Sequence, residues 1–244
     1  MTGVMLRGAP NFRDLGGLGT REGRFVAPGR LLRSGQLGEL HAEDIGHLAA
    51  WLGADVCVID LRGASERLRQ ACALPNAVVH SLPIEPSVAL KLDTAIASGQ
   101  GLTPAMASAF MAEAYRGFVR KAQAQAASLF AHVLDREGRP LVVHCAAGKD
   151  RTGFMVALLL SALDVPRETI LEDYLLTNQR VQPRESRRYA PEIMEVLGTV
   201  RAEFLEAAFD LIDEGFGGTT RYLQQAAALT PQRRARLHEV LLSP

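Results

Sequence analysis

The chain has 244 residues, enough to bury one sizeable core and within the range of one α/β domain spanning residues 1–244. Lys and Arg together number 27, as do Asp and Glu, so no net charge gathers nucleic acid or an anionic membrane. Neither a signal-like apolar core in Met1 to Pro10 nor an apolar run approaching about 20 residues is present, so no stable membrane insertion is expected.

Residues 1 to 40 are rich in Gly and Arg, and their clustered Gly and Asn predict turns, with short strands at Arg24 to Ala27 and Leu31 to Arg33. Ile45, Leu48, Ala49 and Leu52 fall at helical spacing, so His41 to Leu52 reads as an amphipathic helix ended by Gly53. Ala54 to Leu61 is a β-branched apolar run, a strand that turns abruptly polar at Asp60 and Arg62. Ligands of open α/β sheets bind beyond the carboxyl ends of strands, which puts both residues on the functional rim. Asp60 either supports a site there from behind or caps a helix. Ala64 to Ala71 predicts a short helix, and Ala77 to Leu82 a third core strand. Glu85, in the following loop, either faces a cleft on that rim or is solvated, and Pro86 to Pro104 reads as a flexible insert. Thr103-Pro104 is an N-cap followed by a first-turn proline. It opens a helical region to about Arg136, with a break expected at Gly117 and a buried stripe of Phe110, Met111, Ala114, Phe118, Leu129, Phe130 and Val133.

The most informative stretch follows. Leu141 to His144 is a short apolar run after Pro140, the pattern of a buried strand, and a helix starts near Arg151. Cys145 to Arg151 therefore form a tight strand-to-helix loop. The N–H groups of Ala146 to Arg151 lack intrahelical partners and can converge on one phosphate or sulfate, aided by the helix dipole. Ala146, Ala147 and Gly148 keep that backbone accessible, and Arg151 offers a planar fork that matches two phosphate oxygens. Cys145 sits where the same N–H groups favour a thiolate. His144 precedes it, and the Thr152 hydroxyl is placed to hydrogen-bond the sulfur and improve it as a leaving group.

Beyond the loop helix, Asp164-Val-Pro166 caps a helix running to Thr177. Residues 178–200 are polar, with Arg180, Arg184, Arg187 and Arg188, and helices follow at about 201–214, at 219–228 and from Thr230-Pro231. Strands alternating with helices predict an α/β fold, a mostly parallel central sheet flanked by helices, with a largely helical C-terminal half.

The run His144-Cys-Ala-Ala-Gly-Lys-Asp-Arg-Thr-Gly153 resembles the phosphate-binding loop of the cysteine-dependent protein tyrosine phosphatase superfamily. Together with Asn11-Phe-Arg-Asp-Leu-Gly-Gly17, Asp60-Leu-Arg62 and Glu66, it resembles more narrowly the IphP-type bacterial tyrosine/serine phosphatases. The resemblance implies the same fold and a metal-independent phosphatase without a cofactor. It places Arg13, Asp14 and Arg33 near the active-site wall, where unaided reading allows surface ion pairs. It makes Asp150 the first choice of general acid, with Asp60 and Glu85 following, against a reading of Asp150 as electrostatic support for Lys149 or Arg151. It also implies helices covering the site, drawn from 86–120 or 178–200, where a solvated connector is the alternative.

Cys145 is thus expected to attack the phosphorus of a phosphorylated protein or a phosphoinositide, giving a phosphocysteine that water hydrolyses. Lys149, one of three Lys beside 24 Arg, is placed to reach a second phosphate, as on a phosphoinositide. Three cysteines close no disulfide framework and a thiolate needs a reducing compartment, so a cytoplasmic location is expected, with export by a route lacking a signal peptide left open. Cys57 or Cys72 is either core or a partner for an oxidised Cys145. The rivals are a rhodanese-type sulfurtransferase and a phospho-binding module without turnover.

Overall fold

The structure, a computed structural model, describes residues 6–53, 55–85, 88–99, 101–182 and 188–244. Its centre is a five-stranded sheet in the order β1 (Arg13–Asp14), β3 (Leu31–Ser34), β6 (Leu141–His144), β4 (Cys57–Asp60), β5 (Val78–Ser81). β1 runs antiparallel to β3 and every other pairing is parallel. A two-stranded antiparallel ribbon, β2 (Phe25–Val26) with β7 (Leu242–Ser243), ties the N-terminal region to the C-terminal one.

Side chains alternate across the sheet because a strand's period is two. Leu31, Cys57, Ile59, Leu141 and Val143 join the larger core under the helical half, whereas Leu32, Val58 and Val142 pack toward α1 (Ala42–Leu52) with Phe12, Leu37, Leu48 and Leu52. Both faces of β6 are therefore covered, which explains its unbroken apolar sequence. The helix after it, α6 (Asp150–Ala162), is buried at every position except Asp150 and Ser161, as a helix apolar all round must be. The predicted class stands: an α/β fold, mostly parallel, with helices on both faces.

Register sets up the functional rim. Ser34 lies beside His144, His144 beside Asp60, and Asp60 beside Ser81, so four polar residues end four adjacent strands at one edge. The loop from Cys145 emerges from the middle of that row.

Several expectations need correction. β5 is not a core strand; it closes the sheet, and Val78 and Val79 are 49% and 42% exposed. Gly117 does not break the helix: α4 (Pro104–Lys121) runs through it, packed along α10 (Ala202–Phe216), and the chain turns at Ala122 before α5 (Gln123–Asp135). Tertiary packing outweighs the roughly 1 kcal/mol propensity cost of an interior glycine. Of the expected buried stripe, only Phe110 is left partly exposed. The supposed insert at 86–104 holds α3 (Val88–Ala97), with Leu92 and Ala95 buried. Pro86, Arg184 and Arg187 lie outside the described residues. Thr103 caps its helix as expected, accepting from the Met106 N–H at 3.2 Å, and Thr230 accepts from the Arg233 N–H at 3.2 Å. Asp164 caps no helix: its carboxylate pairs with Arg234, and the next helix starts after Pro166 without a side-chain cap. The remaining helices are α2 (Ala64–Arg69), α7 (Arg167–Leu175), α8 (Thr177–Arg180), α9 (Pro191–Gly198), α11 (Thr219–Ala226) and α12 (Pro231–Leu241).

Candidate active site

Carbonyl groups decide the shape of the loop. The Ala146 carbonyl accepts from the Gln36 N–H at 2.9 Å, and the Lys149 carbonyl from the Gly153 N–H at 2.8 Å. Gly148 O accepts twice, from Asn11 Nδ2 at 2.7 Å and Arg33 Nη2 at 2.9 Å. With these carbonyls turned outward, the N–H groups are left for the concave side; among the described residues those of Ala146 to Arg151 donate to no protein acceptor. Gly148 is required here twice over. Its φ is +66°, and a Cβ would stand 2.3 Å from the Ser34 carbonyl oxygen. Cys145 is 2% exposed, and Arg151 is the second residue of the helix that leaves the loop.

Arg151 is aimed by Glu66. Nη1 bonds Oε2 at 2.7 Å and Nη2 bonds Oε1 at 2.8 Å, a bidentate pair that fixes the guanidinium plane. Glu66 is itself positioned as the third residue of α2, where Oε2 accepts from the Gly63 N–H at 2.8 Å. Burial opposes the Arg151 charge, but Glu66 and the neighbouring Cys145 and Asp150 outweigh it and hold the guanidinium firmly protonated. The sequence motif named Glu66 without giving it this task.

Beneath the loop lies a buried ionic knot. Asp173 on α7 receives Arg13 Nε at 2.7 Å and Arg33 Nη1 at 2.6 Å, while Arg13 also bonds the Asn11 side chain. Burial raises the Asp173 carboxyl, yet the two arginines win and hold it below the usual carboxylate range. Arg13 is pulled down to about 10, first by burial and then by Arg33. Arg13 and Arg33 are therefore not surface ion pairs; through Asn11 and Gly148 O they brace the loop. Asp14 is elsewhere in role, accepting from the Gly16 and Gly29 N–H groups at 2.9 and 2.8 Å to hold a turn.

Asp60 is taken up by Arg62, whose Nη2 lies 2.8 Å from Oδ2 and whose backbone N–H bonds Oδ1 at 2.9 Å. Burial pushes its carboxyl up, but those bonds and the nearby His144 leave it lowered. A carboxylate so paired stays ionised, which does not suit a proton donor. Glu85 is exposed, alongside Gly63. Asp150 is the carboxyl that meets the cleft: Oδ1 accepts from the Tyr115 hydroxyl at 2.9 Å, and Oδ2 is 3.7 Å from Lys149 Nζ. The Lys149 Nζ lies 2.5 Å from the Leu197 carbonyl oxygen and 3.0 Å from that of Thr199. It thus caps the C-terminal end of α9. Tyr115, Asp150 and Arg151 share a cleft of about 260 Å³ with apolar walls from Val88, Leu92, Met111 and Leu197.

His144 is fully buried, its Nδ1 3.1 Å from the Cys145 carbonyl oxygen. Burial above all lowers it to about 4, against Asp60 acting the other way. The unfolded chain takes up that proton near pH 6.5 and the folded protein only near 4, so the unfolded state binds more protons in between. Stability is accordingly present above about pH 6.5 and is lost as pH falls toward 4. Urea midpoints measured across that window should fall for the wild type and flatten for His144→Gln; equal slopes would remove His144 from this account.

Residues 4–243 match the model of the tyrosine phosphatase family. The chain belongs to that family. A putative tyrosine-protein phosphatase of Cupriavidus necator is 38% identical over 227 residues, covering 88% of this chain and 81% of that one. Triple specificity protein phosphatase PtpB of Mycobacterium tuberculosis is 34% identical over 264 residues, 91% and 92% of the two chains. The crystal structure of P. aeruginosa TpbA covers 76% of this chain and 89% of its own at 15% identity and a TM-score of 0.37.

Membership in the tyrosine phosphatase family sets aside the sulfurtransferase reading and makes the protein an enzyme of dephosphorylation. In this phosphatase the Thr152 hydroxyl is buried and, among the described residues, without a partner. All three cysteines are free; Cys57 sits inside β4 with its thiol pushed up to about 11 by burial, which fits a core residue better than a redox partner. No helix among the described residues is long and apolar enough to cross a membrane.

Proposed function

We infer that this phosphatase hydrolyses phosphomonoesters through a phosphocysteine. The observation that carries the reading is the loop after Cys145, where the N–H groups of Ala146 to Arg151 have no protein acceptor among the described residues and Arg151 is held in plane by Glu66. The Cys145 thiolate attacks phosphorus, forming the S–P bond as the ester P–O bond breaks, and Asp150 gives its proton to the departing oxygen. Water then attacks phosphorus, returns its proton to Asp150 and releases the sulfur as thiolate. Arg151 and Ala146, Ala147, Gly148, Lys149 through their N–H groups stabilise the equatorial oxygens, where charge is spread in the transition state. Thr152, with a free hydroxyl, donates to the departing sulfur. These steps need no metal.

Phosphotyrosine is the favoured substrate, since a 260 Å³ cleft with apolar walls beside Arg151 and Asp150 accommodates an aryl ring better than a charged headgroup. Phosphoserine, phosphothreonine and phosphoinositides remain candidate substrates, in keeping with the name of the mycobacterial relative. Lys149, though, has its ammonium engaged by two carbonyls, which favours a structural over a second-phosphate role. Residues from 88–118 and from 189–197 wall the cleft, which supports both segments as its cover. A nucleophile that must stay free of disulfides supports a reducing, cytoplasmic setting.

Turnover of phosphotyrosine and phosphoserine peptides and of a phosphoinositide by wild type and Lys149→Ala tests this reading. Phosphotyrosine should be fastest and the variant should lose a similar factor on every substrate. A loss confined to the phosphoinositide would restore Lys149 as a second-phosphate contact.

A further inference from the structure

Two fully buried tyrosines stand behind Asp150, the one carboxyl that meets the cleft among the described residues. Tyr115, on α4, is 0% exposed and Tyr174, on α7, is 1% exposed. Their hydroxyl oxygens are 2.6 Å apart, and the Tyr115 hydroxyl is 2.9 Å from Asp150 Oδ1. Their rings have little room to move. The Tyr115 ring packs against Phe118 and Phe204, with centroids 5.2 and 6.1 Å away. A Cβ on Gly153 would come within 2.9 Å of the Tyr174 ring, so that glycine seats the ring directly on α6.

Proton counting gives the chain a direction. An ionised carboxylate only accepts, and a phenol has one proton to give. Tyr115 therefore donates to Asp150, and Tyr174 donates to Tyr115. Burial first, and then the Asp150 charge, holds both phenols well above their ordinary range, so they stay protonated donors throughout. Among the described residues the charged groups facing Asp150 are Lys149 and Arg151 from the loop and helix, and the neutral titratable ones are the two phenols from α4 and α7.

We propose that Tyr115, and Tyr174 through it, are positioning residues for the general acid: they pin Oδ1 of Asp150 and leave Oδ2 as the oxygen that carries the proton. This rests on the phosphocysteine reading above. Without the tether an aspartate side chain 28% exposed at the start of a helix is free to swing toward solvent. With it, the proton given to the leaving oxygen and later recovered from water is held at one place in the cleft. A merely space-filling pair would need no hydroxyls there.

The test compares the full-length wild type, Tyr115→Phe, Tyr174→Phe, Asp150→Asn and the Tyr115→Phe/Asp150→Asn double variant, each on an alkyl phosphate and an activated aryl phosphate. Tyr115→Phe should lower kcat on the alkyl phosphate by roughly tenfold, a fraction of what a general acid supplies, with much less effect on the aryl ester. Its acidic-to-neutral pH limb should flatten, while inhibition by inorganic phosphate stays unchanged. In the Asp150→Asn background the same substitution should have almost no further effect. Tyr174→Phe should repeat the pattern more weakly, and it carries the comparison if Tyr115→Phe folds poorly. Equal losses on both esters, weakened phosphate inhibition, or an undiminished effect in the Asp150→Asn background would each overturn the proposal. Failure of the phosphocysteine reading shows separately, as turnover that survives Cys145→Ser.

Discussion

Replacing Cys145 by Ser should cut turnover by at least about 10⁴-fold, as loss of a nucleophile does where no other group can take its place. The alcohol is not ionised at the base of the loop, and oxygen is a poorer leaving group in the second step. Everything that binds the anion is untouched. The Ala146 and Gly148 carbonyls keep their partners, the N–H groups keep their direction, and the Arg151–Glu66 fork lies outside the substitution. Phosphate should therefore still inhibit or bind the variant about as well as the wild type. Steady-state assays paired with calorimetric phosphate titration separate the two effects. Substantial activity in the serine variant would mean that another group attacks phosphorus.

Arg151→Lys should cost roughly 10³-fold in kcat/KM, the scale seen when a fixed transition-state donor is removed. Arg151 is 8% exposed and gives both Nη atoms to Glu66, and the proposed mechanism asks the same guanidinium to meet the phosphate as well. A lysine presents one ammonium at the end of a flexible stem. It pairs with Glu66 or reaches the phosphate, and the planar fork is gone either way. Glu66→Gln should be milder, because the amide still meets one Nη but no longer fixes the plane. Its KM should rise more than its kcat falls. Kinetics of the three proteins, with phosphate inhibition as the binding readout, decide the ranking. A lysine variant within a few-fold of wild type would show that Arg151 does not carry the transition-state charge.

Local order made the centre of this protein legible from sequence. An apolar run, a glycine, an arginine and a helix-forming stretch occupy a single span of the chain, so strand, loop and helix could be placed without knowing the rest. What braces that loop is distant in sequence. Glu66 is 85 residues from Arg151, and Asp173 is 160 from Arg13 and 140 from Arg33. Glu66 also satisfies a helix-capping pattern, which conceals its second task. Tyr115 and Tyr174 sit within apolar stripes and look like packing until their hydroxyls are seen to meet. The two carbonyls that hold Lys149 were equally hidden, because they lie at the end of α9, 48 and 50 residues along the chain. The misplaced β5 has the same origin. An apolar strand reads alike whether it lies inside a sheet or closes it, and only the pairing partners tell.

The most direct trial of the central claim is acid quenching during turnover of an aryl phosphate, followed by mass spectrometry of the peptide containing residue 145. A phosphoryl adduct on that sulfur, building up within the first turnover and absent from the serine variant, is the predicted result. Turnover proceeding with the sulfur never phosphorylated, or with the adduct on a different side chain, would contradict it.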